Sequence, residues 1–122
     1  HKRQAIELKS KKLSEILPKI ITTKNNNLIK LDVQGSELKV LDGLENYLTH
    51  FEIIIMETSI HKYNKNAPLF DEVIAYMHNK KYTLYDLFDF KRTGYENSFL
   101  LQVDCVFIRN DSQLLKVNYK NK

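Results

Sequence analysis

The chain has 122 residues, 43% of them hydrophobic, and a formal net charge of +4. That length allows one domain with a real core but not two, and the composition excludes a disordered chain. The longest apolar run is far shorter than the about 20 residues of a membrane span, and the single cysteine, Cys105, excludes an internal disulfide. We therefore expect one domain, a reduced cytoplasmic setting and no membrane span; the N-terminal HKRQAIELKSKK also lacks the apolar core of a secretory signal.

The positive charge lies at the two ends of the chain. Residues 1–24 carry a net charge of +5 and residues 110–122 a net charge of +2, whereas residues 25–109 carry −3. A nucleic-acid-binding protein usually places its basic residues on the folded face. We interpret the chain as an edge strand and linker (1–24), an α/β core (25–109) and a basic tail (110–122), with no nucleic-acid partner.

The first elements in chain order predict a strand, a turn and a β–α unit. AIELKSKKL suggests a short edge strand, and LSEIL one helical turn closed by Pro18. LIKLDV, residues 28–33, has the branched apolar character of a buried parallel strand. Gly35 ends it, Ser36 suits a helix N-cap, and leucines at helical spacing continue to about His50.

The second half predicts a covered strand, a helix and a final pair of strands. FEIIIMETS is apolar enough for a strand covered on both faces, and LFDEVIAYMHNKK is amphipathic. YTLYDLFDF and FLLQVDCVFIRN predict strands joined by the turn FKRTGYENS, and two strands in such direct succession are expected to be antiparallel. The fold class is therefore α/β, with parallel strands and an antiparallel strand at one end of the sheet.

Two carboxylates follow the apolar runs of the first β–α–β unit. Asp32 comes at the end of the first strand and Glu57 at the end of the second. Ligands of open α/β sheets bind beyond the carboxyl ends of parallel strands, so both residues are candidates for one cleft. Each also has a structural interpretation, because Asp32 can tie down the Gly35 turn and Glu57 can pair with a loop lysine such as Lys62.

Other polar residues give weaker signals. Glu37 either complements a helix N-terminus or contacts a substrate, and His61 and Tyr63 follow Glu57 in a polar loop. The histidines have no metal-ligand spacing, so we predict no metal site. Cys105, inside VDCVFI, is expected to be a buried, unreactive thiol.

The stretch LIKLDVQGSELKVLDG resembles the central motif of the FkbM family of S-adenosylmethionine-dependent methyltransferases. The matching residues are Ile29, Lys30, Asp32, Val33, Gln34, Gly35, Glu37, Val40, Leu41 and Gly43. KKLSEIL upstream, and IIIMETS, FDEVIAYM, YTLYDL and QVDCVFIR downstream, are similar to family segments in the same order, over most of residues 8–109. The resemblance implies the C-terminal part of a Rossmann-like class I methyltransferase fold.

The resemblance also implies an activity and roles for the candidate residues. It implies O-methylation of a small-molecule or glycan hydroxyl, often on a sugar. Asp32 and Glu57 would be the catalytic residues, Asp32 and Gln34 would contact the cofactor, and Glu37, His61 and Tyr63 would contact the substrate. The family binds S-adenosylmethionine mainly through two earlier strands and a glycine-rich turn. Nothing in this sequence resembles those features, so we expect the chain to be the C-terminal half of the domain and to be inactive alone.

Two further expectations follow from that missing half. The alternative function is a non-enzymatic α/β module derived from the fold that binds a partner protein. The strand at residues 28–33 would lack its usual neighbour, and open strand edges promote association. We therefore expect poor solubility, self-association through residues 28–33, or pairing of that edge with the chain's own AIELKSKKL segment.

Overall fold

A computed structural model describes residues 5–8, 27–31, 37–61 and 68–116 of the protein. The strands are β1 (Ala5–Leu8), β2 (Asn27–Leu31), β3 (Phe51–Ser59), β4 (Tyr82–Thr93) and β5 (Phe99–Arg109). The α-helices are α1 (Glu37–Leu44) and α2 (Phe70–Asn79), and short 3-10 segments cover Glu45–His50, Tyr95–Asn97 and Gln113–Leu115. These elements confirm the predicted order of strands and helices within the described residues; the LSEIL turn lies outside them.

The strands form one mixed sheet in the order β1-β2-β3-β5-β4. β1, β2 and β3 are parallel, and β5 is antiparallel to both of its neighbours, β3 and β4. The prediction that the antiparallel strand ends the sheet is therefore wrong, because β5 lies inside it. The physical reason is burial: β5 is largely covered, whereas β4 is exposed along most of its length and carries the charges that suit an edge.

The outer edge of β2 is covered by β1. Their register pairs Ala5 with Leu28 and Leu8 with Leu31. This confirms the version of the edge prediction in which the N-terminal segment fills the open edge. The described strand is confined to AIEL.

The main core lies between the two helices and one face of the sheet. Alternate residues of the central strands point to this face and are buried, among them Ile29, Leu31, Ile54, Met56, Cys105 and Phe107. Leu41, Leu44, Val73 and Met77 of the helices belong to the same cluster. This packing confirms the apolar faces predicted for the helices, whereas β3, expected to be covered on both faces, is fully buried on the helix side and only partly buried at Ile53, Ile55 and Glu57 on the other.

The β4–β5 hairpin is longer than predicted. FKRTGYENS was expected to be a turn, but Lys91, Arg92 and Thr93 still pair with β5. The reversal begins at Gly94, whose φ of 82° favours glycine. No helix in the described ranges is long and apolar enough to cross a membrane.

Candidate active site

The ends of several strands meet at one edge of the sheet. Because β5 is antiparallel to both β3 and β4, the carboxyl ends of β2, β3 and β4 lie at the same edge as the start of β5. A small cleft of about 120 Å³ lies there, which we call the Glu57 pocket. Its lining residues are Lys30, Leu31, Ile55, Met56, Glu57, Asp89, Lys91 and Asp104.

Glu57 and Asp104 occupy directly opposed positions on β3 and β5. Opposed residues of an antiparallel pair point to the same side of the sheet, so the two carboxylates share one face, away from α1 and α2. The Lys91 Nζ atom lies 2.5 Å from Glu57 Oε2. Glu57 therefore does form an ion pair, but with Lys91 of β4. Lys62, the partner suggested by the sequence, lies outside the described residues.

A backbone irregularity places the Lys91 ammonium over the pocket. The register of β4 against β5 shifts between Phe88 and Lys91, and Asp89 within this bulge has a φ of 54°. Bulges reorient the side chains that follow them. The Glu57 hydrogen bond is the main cause that raises the pKa of Lys91, so the ammonium stays charged well above neutral pH.

Asp104 is the most buried carboxylate of the pocket, at 7% exposure. Burial raises the pKa of its carboxyl group, and the nearby carboxylates of Glu57 and Asp89 raise it further, while Lys91 and Lys30 act in the opposite direction. The sequence analysis missed Asp104 as a site residue. Its signal is present in VDCV, where a charged residue interrupts an apolar strand on the face opposite Cys105.

The predicted site residues differ in where they lie relative to the pocket. Glu57 lines the pocket, and β2 and β3 are adjacent and parallel as predicted, although β3 continues past Glu57 to Ser59. Glu37 begins α1, as expected from the sequence, but its side chain lies outside the described part. Asp32, Gln34 and Tyr63 also lie outside it.

His61 does not line the Glu57 pocket. Its exposed ring stacks on Phe99, with ring centroids 4.0 Å apart and an interplanar angle of 26°. Phe99 is the first residue of β5. The contact therefore ties the end of β3 to the hairpin on which Asp104 lies.

Cys105 is buried, as expected. Its Sγ atom lies 3.3 Å from Thr58 Oγ1, and burial raises the pKa of the thiol. Within the described ranges, no group of three or more His, Cys, Asp or Glu residues is arranged to hold a metal ion. The Cys105 thiol thus contributes to the core.

The comparison with protein families decides the family. A model of the Methyltransferase FkbM domain matches residues 1–84. The chain belongs to the FkbM methyltransferase family. This confirms the resemblance seen in LIKLDVQGSELKVLDG, although the match ends in β4 and does not extend over β5.

Membership in the FkbM family implies a Rossmann-like methyltransferase fold, with which the mixed α/β sheet agrees. No curated protein matches the chain, and no solved structure matches it. Asp89, Lys91 and Asp104 follow the last matched residue, so three of the five charged residues that line the pocket lie beyond the family match.

FkbM methyltransferases generally use S-adenosylmethionine. Pockets for such ligands usually measure about 300–1,000 Å³, whereas the Glu57 pocket measures about 120 Å³. The Glu57 pocket is therefore too small for the whole cofactor. The charged pocket suits one small polar group instead.

Proposed function

We propose that the protein takes part in S-adenosylmethionine-dependent methylation of a hydroxyl group on a sugar or another small-molecule or glycan acceptor. We further propose that the Glu57 pocket receives the acceptor. The observation that carries this proposal is the joint position of Glu57, Lys91 and Asp104 at the carboxyl edge of the sheet. In open α/β sheets that edge is where ligands bind.

The register supports a role for Asp32 beside Glu57. Leu31 is the partner of Met56 across β2 and β3, and the next residues in the sequence are Asp32 and Glu57. We therefore keep Asp32 as the residue that positions the reacting groups and Glu57 as the residue that holds the acceptor. The roles of Gln34 toward the cofactor, and of Glu37, His61 and Tyr63 toward the substrate, stay part of the proposal.

The pocket chemistry fits a hydroxyl group. A hydroxyl donates one hydrogen bond and accepts others, and the pocket combines carboxylate acceptors with ammonium donors. The Lys91 ion pair fixes the Glu57 carboxylate in one position. Fixed groups of this kind lower the entropy cost of aligning an acceptor with an activated methyl group, which S-adenosylmethionine supplies when bound.

The test measures methyl transfer by the full-length protein. The protein is incubated with methyl-labelled S-adenosylmethionine and a panel of monosaccharides, glycans and simple alcohols, and methylated products are detected by mass spectrometry. We expect transfer to a hydroxylated acceptor and a loss of about 100-fold in kcat/KM for Glu57→Gln. Glu96→Gln, an exposed carboxylate in the hairpin turn, is the matched control and should retain activity.

Two results would contradict the proposal. If the Glu57→Gln variant transfers methyl groups as fast as the wild type, the pocket takes no part in the reaction. A folded protein that methylates nothing in the panel would favour the alternative, a partner-binding module.

A further inference from the structure

We propose that Asp104 is the hydrogen-bond acceptor that receives the substrate hydroxyl in the Glu57 pocket. This inference rests on the proposed function, and it adds a specificity-determining residue that lies beyond the family match. It also requires that the group entering the pocket donates a hydrogen bond.

The two opposed carboxylates of the pocket differ in their hydrogen bonds. Glu57 is bound to the Lys91 ammonium, whereas the described residues provide no hydrogen-bond donor to the Asp104 carboxylate. Asp104 nevertheless lines the cleft while being 7% exposed. The Asp104 oxygens are not among the fully buried atoms that lack a partner, so they are reachable from the cleft, where a ligand that donates a hydrogen bond can replace water.

The groups around Asp104 suit a hydroxyl better than an ether. The charged groups that face Asp104 are Lys30 from β2, Glu57 from β3, and Asp89 and Lys91 from β4. A hydroxyl can donate to Asp104 and accept from a lysine. An ether oxygen can accept from those lysines but cannot donate to Asp104.

An aromatic residue is the cross-strand partner of Asp104. Phe88 is the residue of β4 that pairs with Asp104, and it is 40% exposed. Cross-strand partners lie close enough for their side chains to contact one ligand. The ring can therefore pack against the carbon skeleton that carries the hydroxyl, which fits an alcohol or a sugar ring.

The inference predicts a direction for the pH dependence. Asp104 accepts the hydroxyl hydrogen more strongly when it is ionised. Because burial, Glu57 and Asp89 raise the pKa of Asp104, binding should weaken on acidification at a higher pH than for an ordinary aspartate. This pH profile should be absent in Asp104→Asn.

The experiment uses glycerol as a minimal hydroxyl probe and 1,2,3-trimethoxypropane, its ether without any O–H donor, as the counterpart. Both are titrated into the isotope-labelled protein, and the shifts of the Asp104 carboxyl carbon and of nearby amides are followed by NMR. We expect saturable glycerol binding, weaker binding of the ether, and an affinity for glycerol about tenfold lower in Asp104→Asn. Asp86→Asn, which changes an exposed residue of the neighbouring strand β4, should bind glycerol like the wild type.

Several outcomes would overturn the inference. These are tighter binding of the ether, unchanged glycerol affinity in Asp104→Asn, or no saturable shift at Asp104 in the wild type. The shift at Asp104 in the wild type is measured without a variant, so it tests the inference even if Asp104→Asn does not fold. No methyl donor is present in the titration. Glycerol binding without methyl transfer would therefore count against the proposed function alone, and transfer without binding at Asp104 against this inference alone.

Discussion

The ion pair between Lys91 and Glu57 should couple the β4 edge to the parallel part of the sheet. The variants Glu57→Gln, Lys91→Met and their combination form a double-mutant cycle for this contact. Exposed ion pairs contribute about 0.2–1 kcal/mol, and hydrogen bonds to charged groups about 1.5–3 kcal/mol. The Glu57 side chain is 18% exposed and that of Lys91 49%, at a separation of 2.5 Å. We therefore expect a coupling free energy of about 1 kcal/mol, near the top of the range for surface pairs.

The coupling is measured by urea unfolding at pH 7, followed by far-UV circular dichroism. The urea concentration at the unfolding midpoint should differ among the variants. The slope of the unfolding free energy against urea concentration should stay constant, because the compactness of the folded and unfolded states is unaffected. The pKa of Lys91 is raised in the folded state, so its contribution is complete below the ordinary lysine pKa and is lost only as the pH rises through the folded value.

The control is a second double-mutant cycle, in which Lys39→Met takes the place of Lys91→Met. Lys39 lies on the exposed side of α1. The coupling of Lys39 with Glu57 should be zero within error. A Glu57–Lys91 coupling below about 0.3 kcal/mol, the usual error of additivity, would refute the reasoning.

Three further predictions concern Cys105, Asp104 and the cofactor. The buried Cys105 thiol, with its raised pKa, should react with a disulfide reagent at pH 8 at least about 100-fold more slowly in the native protein than in urea; equal rates would contradict its burial. Because the folded state raises the pKa of Asp104, its ionised form destabilises the fold at neutral pH, so Asp104→Asn should be at least as stable as the wild type at pH 7. On acidification this difference should shrink, as unfolding curves at several pH values would show. Calorimetry on the 122-residue chain should detect no binding of S-adenosylmethionine, because its three glycines form no glycine-rich turn; micromolar affinity would disprove this.

The sequence predicts the first half of the sheet well because its signals are local. The apolar runs before Asp32 and Glu57 and the helical spacing of the leucines between them define a β–α–β unit, whose strands are then parallel. That rule alone predicts residues 32 and 57 at one edge, and the structure describes residue 57 there. The rule needs no knowledge of the rest of the chain.

The second half was predicted less well because its arrangement depends on tertiary packing. Antiparallel pairing of the last two strands does not say which of them contacts β3. That choice depends on how deeply each is buried, and β5 is the deeper. The Lys91 contact requires the bulge at Asp89, and no spacing in the sequence indicates a bulge. The charge of Asp104 within an apolar strand can be read from the sequence, but its position beside Glu57 cannot.

The position of β5 between β3 and β4 also governs when the pocket appears during synthesis. Thr58 and Cys105 are 47 residues apart, and Glu57 and Lys91 are 34 apart, so these contacts close late compared with those of a hairpin. A ribosome that has produced residues 1–84 has completed every position matched by the family, yet the chain still lacks Asp89, Lys91 and Asp104. Until β5 emerges, β3 has an open inner edge that other nascent chains can pair with. Completion of the pocket and protection of that edge are thus one event, so premature termination before β5 should leave a chain that aggregates and has no pocket.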